Sequence, residues 1–456
     1  MADIQSKILA QLKAGQLMNS EMLKELLDDF SFVSANLKKK YNQFKADELL
    51  IQSREFDDAT KVNNKINDDY RGTIVLQSMG YVFGKPISYE IDKKAYTDAT
   101  FKALNLKLSE FNAMNNLADL DSETGKLQAI CGKAYRLCYI DTEGFEKIIN
   151  INPWEIIALK NNKSNIEYAF YIYNTFNVEG KEVTNVEFYD NAKFVTYSNN
   201  GESDFVILEE KAHQFAYMPI IEFLNNSEEQ GDCDKVENLI DSYDRIVSDS
   251  QNELEEFRLA YMKFTGCEID EATKLQAKNT GAFSLPEGGD AGFITKKIND
   301  TFLENHKKTL NENIYKFSSS VDMSDETFSG ASMSGESRKW KLLVLEFKAI
   351  TKERKFNVGL REMFKVICSA WNTKGVPLNY LDLFFTFKRS IPVDLSYLGD
   401  VATKFKGIVS DRTIFSLLPF VEDVPYEMDT IAEEQGTTNV DLDKVDKKVV
   451  DTDVPK

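Results

Sequence analysis

Apolar positions recur every three or four residues through 3–45, with Met22, Leu23, Leu26, Leu27 and Phe30 on one face, and this spacing predicts an amphipathic helical stretch. Asn19 and Ser20 stand just before that run as candidate caps. Residues 64–79 carry a second, shorter helical pattern, and Gly80 to Glu90 alternates like a strand interrupted by Gly84 and Pro86. Helical spacing returns from about Tyr96 to Gly132. From Ala134 to Phe223 the chain turns to short alternating strands separated by Asn and Gly, which reads as a β-rich region.

The pattern changes after Gly231. Residues 234–264 hold neither Gly nor Pro and place Ile240, Tyr243, Val247, Leu254, Phe257 and Tyr261 at helical spacing, which predicts one long helix. Its other faces carry Glu237, Asp241, Asp244, Asp249, Glu253, Glu255 and Glu256, so an apolar seam meets neighbours while an acidic side faces solvent. Gly281, Pro286, Gly288, Gly289 and Gly292 break 267–297 into an excursion of strands and turns. Phe302, Leu303, His306, Leu310, Ile314 and Phe317 then predict a second helix able to pack back along the first, with His306 as a packed residue of its apolar face.

Residues 321–335 (VDMSDETFSGASMSG) form a loop that contains Asp322, Asp325 and Glu326 and no positive charge. A third long helix follows near 336–371. It is rich in Lys and Arg, but Trp340, Leu343, Phe347, Ile350, Phe364 and Ile367 mark a buried face, which favours a structural helix over a nucleic-acid binder. Residues 380–387 read as a strand and 398–435 as further helices. The segment 436–456 has no aromatic residue and many Asp and Lys, the composition of a disordered tail.

Charge narrows the function. Asp and Glu outnumber Lys and Arg by 74 to 55, and a net charge of −19 opposes a surface built to neutralise phosphates. Lys38, Lys39 and Lys40 read as a solvated helix end. Five scattered cysteines without a C-x-x-C, and only His213 and His306, leave no metal-ligand set and fit a reducing assembly environment. Neither a signal-peptide core nor a run of about 18 apolar residues is present, which predicts a protein made in soluble form, with no membrane partner. Gly80, Gly84 and Lys85 imitate a phosphate loop, but the glycines stand one residue too close and Pro86 occupies the magnesium-ligand position. No nucleophile elbow or H-E-x-x-H helix occurs, so no catalytic centre, metal or cofactor is expected.

The order of these features resembles a known family. Residues 67–90 (NDDYRGTIVLQSMGYVFGKPISYE) are similar to the opening of portal proteins from siphophage-type tailed bacteriophages. Further similarities follow in order: Gly132 to Tyr135 with Tyr139, the Asn152-Pro153 turn, Pro219 to Asn226 with Gly231 and Asp232, Leu239 to Tyr243, and Ser334 to Ser337 opening a long helix. The resemblance spans about 60–375.

What it implies is an α+β portal fold assembled as a dodecameric ring: N-terminal helices and wing in 1–232, a stem helix in 233–266, a clip in 267–298, a second stem helix in 299–320, a tunnel loop in 321–335, a long wing helix and returning strand in 336–397, a crown in 398–435, and the tail beyond. The resemblance places Asp322, Met323, Asp325, Glu326 and Met333 at a DNA channel. The acidic stem face would be Glu237, Asp241, Asp244 and Glu255, and Gly281, Gly288 and Gly289 would shape the motor-docking clip. It also implies a virion head-tail connector, assembled in the host cytoplasm, through which double-stranded DNA is packaged and ejected with only transient, sequence-independent contact. The implied partners are other copies of the chain, a large terminase ATPase, scaffolding and major capsid proteins, and a head-completion adaptor. The alternative from the residues alone is a coiled-coil scaffold or adaptor without a channel, and a structure-specific nuclease stands behind both.

Overall fold

The fold is that of a computed structural model, which describes residues 4–58, 61–202, 204–257, 261–266, 300–324, 335–390 and 395–418, with scattered positions in 270–294 and 421–434. The chain divides into two compact units, residues 1–390 and 391–456.

Helices α1 (Ile4–Lys13) and α2 (Ser20–Phe44) replace the single predicted stretch. The break lies at Gly15, whose φ of +84° suits a residue without a Cβ. Asn19 is the cap of α2: its Oδ1 accepts a hydrogen bond from the Met22 amide at 2.9 Å. Ile8, Leu23, Leu26 and Phe30 of this pair bury against Phe170, Val186 and Phe188 of a five-stranded antiparallel sheet. That sheet runs β4 (Ile156–Lys160), β5 (Ile166–Phe176), β6 (Glu182–Tyr189), β7 (Lys193–Ser198) and β8 (Val206–Ala212), in sequence order. A smaller sheet orders β3 (Glu146–Ile151), β2 (Lys133–Ile140) and β9 (Ile220–Leu224).

Helix α3 (Tyr70–Phe83) corrects the reading of 64–90. Asp69 caps it by accepting from the Gly72 amide at 2.9 Å, so the helix begins later than its periodicity implied. It also continues into the start of the expected strand, to Phe83, because Tyr81, Val82 and Phe83 bury and Gly80 lies on the open side. Only β1 (Ser88–Ile91) remains extended, paired with β12 (Leu383–Thr386). The expected helix at 96–132 is two, α4 (Asp98–Asn115) and α5 (Leu117–Cys131), divided where Asn116 adopts a left-handed φ of 50°.

Helix α6 spans Glu237–Phe257 and stops short of the predicted end. Strand β10 (Tyr261–Thr265) lies where the last residues of that helix were expected and pairs antiparallel with β11 (Asp290–Ile294), from Tyr261 opposite Ile294 to Thr265 opposite Asp290. Tyr261, Phe264 and Thr265 favour strands, and the partner that makes a strand possible lies some 30 residues away, out of reach of local periodicity. Helix α7 (Asp300–Ser318) returns and packs against α6.

Helix α8 (Gly335–Thr373) is 39 residues long, about 58 Å at 1.5 Å per residue. It lies on β9 at Gly359, where a Cβ would stand 2.4 Å from the Phe223 ring. Phe356, Leu360, Phe364, Ile367 and Trp371 form its buried face. In the second unit, α9 (Leu395–Phe405) and α10 (Asp411–Leu417) meet around Gly407, which has a φ of +84°. The predicted tail lies outside the described residues.

Candidate functional site

Residues 63–68 run along α6, with alternate amides meeting every fourth residue of the helix. The Asn64, Ile66 and Asp68 amides donate to Asn252 Oδ1 at 2.7 Å, Ser248 Oγ at 3.0 Å and Asp244 Oδ1 at 3.1 Å. Those three side chains share one face of the helix. The next turn of the same face is held by an ion pair, Arg71 to Asp241 at 2.7 Å.

This ladder changes the reading of the acidic helix. Asp244 is 1% exposed, so it lines the body of the chain and not solvent; burial, with Asp68 and Asp241 nearby, raises its carboxyl to about 6 against the Asp68 amide and Arg71. The Asp241 side chain, paired with Arg71, is largely buried as well. Glu237 accepts from Gln43 at 3.4 Å, and Glu255 accepts from Gln251 at 3.0 Å. The expected solvent-facing acidic side therefore fails at Asp244 and Asp241, because the Asp68 amide and the Arg71 cation, both far away in sequence, claim those carboxylates.

At the end of α7 the chain turns into the loop. Tyr70 packs edge-on to Tyr243 of α6 at 5.0 Å and Tyr315 of α7 at 5.8 Å between ring centroids, over Ile74, Val236, Ile240 and Ile314. Its hydroxyl donates to Asn311 Oδ1 at 2.7 Å, and Asn311 Nδ2 donates to Asp322 Oδ2 at 2.9 Å. Burial first, then the tyrosine and carboxylate neighbours, push the Tyr70 hydroxyl well above the ordinary phenol range. Gln77 meets Val321 twice: its Nε2 donates to the Val321 carbonyl at 2.7 Å and its Oε1 accepts from the Val321 amide at 2.8 Å. Met323 is exposed at this root. Asp325, Glu326 and Met333 lie outside the described residues.

Beside this root, Asp232 sits between two lysines of α8. Lys352 Nζ stands 2.8 Å and Lys348 Nζ 3.2 Å from Asp232 Oδ2; Lys348 also donates to the Ser318 carbonyl at the C-terminus of α7, where a cation is favoured. Tyr81 of α3 donates to Glu346 of α8 at 2.6 Å, and Arg389 bridges Glu346 and Glu353. Sequence reasoning missed Gln77, Arg71 and the Asp232 pair as joints. Gln77 and Arg71 fall inside 67–90, which carries the family resemblance, so their location was visible while their partners were not.

At the far end of α6 and α7 the β10–β11 hairpin brings two glycines together. Gly266 and Gly288 have φ of +76° and +89°, and the Gly288 carbonyl lies 3.0 Å from where a Gly266 Cβ would be. Gly289 adjoins this turn, while Gly281 lies outside the described residues.

No reactive centre accompanies these joints among the described residues, where no cluster of three or more His, Cys, Asp or Glu is placed to hold a metal. Burial pushes the thiols of Cys131, Cys138, Cys233 and Cys368 up to about 12, which makes them poor nucleophiles. Cys267 lies outside the described residues. His213 is occupied by the Asp190 carbonyl and the Phe215 amide. His306, expected as a packed core residue, is instead exposed and stacks on the exposed Phe302 ring at 6.1 Å. Lys40 of the predicted solvated run ties to Asp234 at 2.7 Å. No helix of the described residues is long and apolar enough to cross a membrane.

Comparison with known proteins supplies the family. The chain is similar to the portal protein of Clostridium phage phiCD119, 26% identical over 404 residues that cover 82% of this chain and 86% of the relative. It is equally similar to the portal protein of Bacillus phage SPP1, 26% identical over 406 residues covering 83% of this chain and 78% of that one. Residues 29–441 match the family described as phage portal protein, SPP1 Gp6-like, a span that takes in α6, α7 and α8, and on this match the chain belongs to that family of phage portal proteins.

Proposed function

We propose that this chain is the subunit of a portal ring at one capsid vertex, the head-tail connector through which double-stranded DNA enters during packaging and leaves during ejection. Family membership over residues 29–441 carries the reading. The helices supply a physical reason for assembly. Leu254 of α6, Phe302 and Phe317 of α7, and Phe347 and Val358 of α8 are each 52–64% exposed, large apolar side chains that a lone chain leaves in water. A heterologous contact repeated around a closed ring covers such surfaces on every copy.

The ring expected from the family is a dodecamer, with α6 and α7 as stem, β10 and β11 in the clip, residues 321–335 as tunnel loop and α9 and α10 in the crown. A chain of net charge −19 suits a channel whose polymer must keep moving, since a lysine-lined wall would hold phosphates by counterion release. The terminase ATPase would dock at the clip, the head-completion adaptor would bind the assembled ring, and scaffolding and major capsid proteins would hold its outside. The chain itself would contribute no catalytic step.

Native mass measurement with negative-stain imaging of the purified chain tests the reading. Closed particles of about twelve subunits with a central hole are expected. Elongated particles without a hole would favour a coiled-coil scaffold or adaptor.

A further inference from the structure

Helix α3 touches both helices that flank the predicted loop in 321–335, the residues that lead into it, and α6. It meets α6 through Arg71 and Asp241, α7 through Tyr70 and Asn311, the loop root through Gln77 and Val321, and α8 through Ser78 and Lys352 at 2.9 Å. We propose that α3 is the mount of this loop, with Gln77 as the positioning residue that fixes its root at Val321 and Asp322 as a second fastening whose carboxylate braces the root rather than facing DNA.

The chemistry of Gln77 is specific to this task. A primary amide carries a donor and an acceptor, so from a helix it can satisfy both the N–H and the C=O of one residue, as a neighbouring strand would. The two bonds, at 2.7 and 2.8 Å, therefore fix both the height and the rotation of Val321. Glutamate at this position keeps only acceptors, and leucine keeps neither.

Asp322 is similarly committed. Its Oδ1 accepts from the Ser324 amide at 2.9 Å and the Ser324 hydroxyl at 2.6 Å, and its Oδ2 accepts from Asn311 at 2.9 Å. At least three of the roughly four lone-pair sites on the carboxylate thus take donors from the chain itself. Asn311 in turn is held by the Tyr70 hydroxyl, so the fastening runs back to the first residue of α3. Neither contact depends on what passes the loop; the importance of the mount for DNA movement rests on the portal reading.

Hydrogen exchange on assembled Gln77→Leu protein tests the mount. Exchange of a peptide covering 319–324 should rise about five- to thirtyfold, the loss expected for one or two hydrogen bonds, with ring mass unchanged. Gln77→Glu, which can still accept from the Val321 amide, should recover protection above the leucine variant. DNA packaged per particle should fall severalfold with Gln77→Leu and partly recover with Gln77→Glu. Unchanged exchange would overturn the mount. Raised exchange with normal packaging would overturn the positioning role while leaving the portal reading intact, whereas wild-type chains that never form rings would overturn that reading and leave the exchange result standing. If Gln77→Leu does not fold, Tyr70→Phe removes only the hydroxyl that holds Asn311 and is read the same way.

Discussion

Lys352 donates to Asp232 at 2.8 Å with the two side chains 1% and 2% exposed, so α8 is fastened to the segment entering α6 by an ion pair that water does not reach. Asn225 donates to the other carboxylate oxygen at 3.0 Å, and the second lysine, Lys348, shares the first. Burial opposes ionisation of Asp232, but Lys348 and Lys352 outweigh it and hold the carboxyl well below its ordinary range; burial also lowers Lys352, against the pull of the single carboxylate.

Asp232→Asn leaves two ammonium groups with one neutral amide and should cost about 3–5 kcal/mol. Lys348→Met should cost much less, since Lys352 alone still neutralises the carboxylate. The acid limb follows Asp232, because Lys352 stays charged there. A folded pKa below the unfolded value contributes stability above about pH 4 and loses it as pH falls further, so the gap between wild type and Asp232→Asn should narrow below that point. Denaturant melts at pH 7 and pH 3 check both parts. An equal gap at the two values would mean the pair carries no charge-dependent stability.

Asp244 predicts the opposite slope. Its carboxyl is raised to about 6 by burial, so its contribution is fully favourable below the unfolded value near 4 and is lost as pH rises through about 6. Asp244→Asn keeps an oxygen for the Asp68 amide and removes the cost of a buried charge. The variant should therefore match wild type near pH 4 and exceed it by on the order of 2 kcal/mol at pH 8. Thermal melts across that range measure the difference, and a variant less stable at pH 8 would show that pairing with Arg71 outweighs burial.

The contrast between these two aspartates marks how far the sequence could be read. Periodicity placed α2, α6, α7 and α8 and the alternating strands, and the cap at Asn19 was legible because capping involves neighbours three residues apart. Asp244 was misread because its partner amide and Arg71 lie some 170 residues earlier, and nothing in a helical wheel distinguishes a solvated aspartate from one claimed by a distant strap. The end of α6 failed for the same reason: no Gly or Pro interrupts 234–264, and β10 exists only because β11 pairs with it. Around the loop, sequence located Asp322 but not its work, since Asn311, Ser324 and Tyr70 become its partners only after α7 has folded onto α3.

Gly359 tests the seat of α8. A helix interior ordinarily gains about 1 kcal/mol from Gly→Ala. Here the new methyl would stand 2.4 Å from the Phe223 ring, which is itself fully buried beside Phe356 and Arg136. Overpacking should outweigh the helix gain, for a net loss of about 1–2 kcal/mol. Chemical denaturation of Gly359→Ala checks the sign, and a stabilised variant would show that Phe223 has room to move.

The loop's charges follow from what its root has already used. Asp322 is committed to Asn311 and Ser324, so Asp322→Lys would break the root itself and confuse architecture with electrostatics. Asp325 and Glu326 are the other carboxylates of residues 321–335, and replacing both with Lys changes the loop by four charges per subunit. In a ring of about twelve copies this makes a positive collar, which converts weak repulsion of phosphates into attraction by counterion release. Rings of Asp325→Lys/Glu326→Lys should assemble normally while DNA translocation slows severalfold. Higher ionic strength should relieve the slowing in part, because screening shortens to about 3 Å at 1 M salt. A DNase-protection assay at two salt concentrations, with the variant confirmed in the particles, reads both effects. Translocation at the wild-type rate under both conditions would mean that these residues do not meet the DNA.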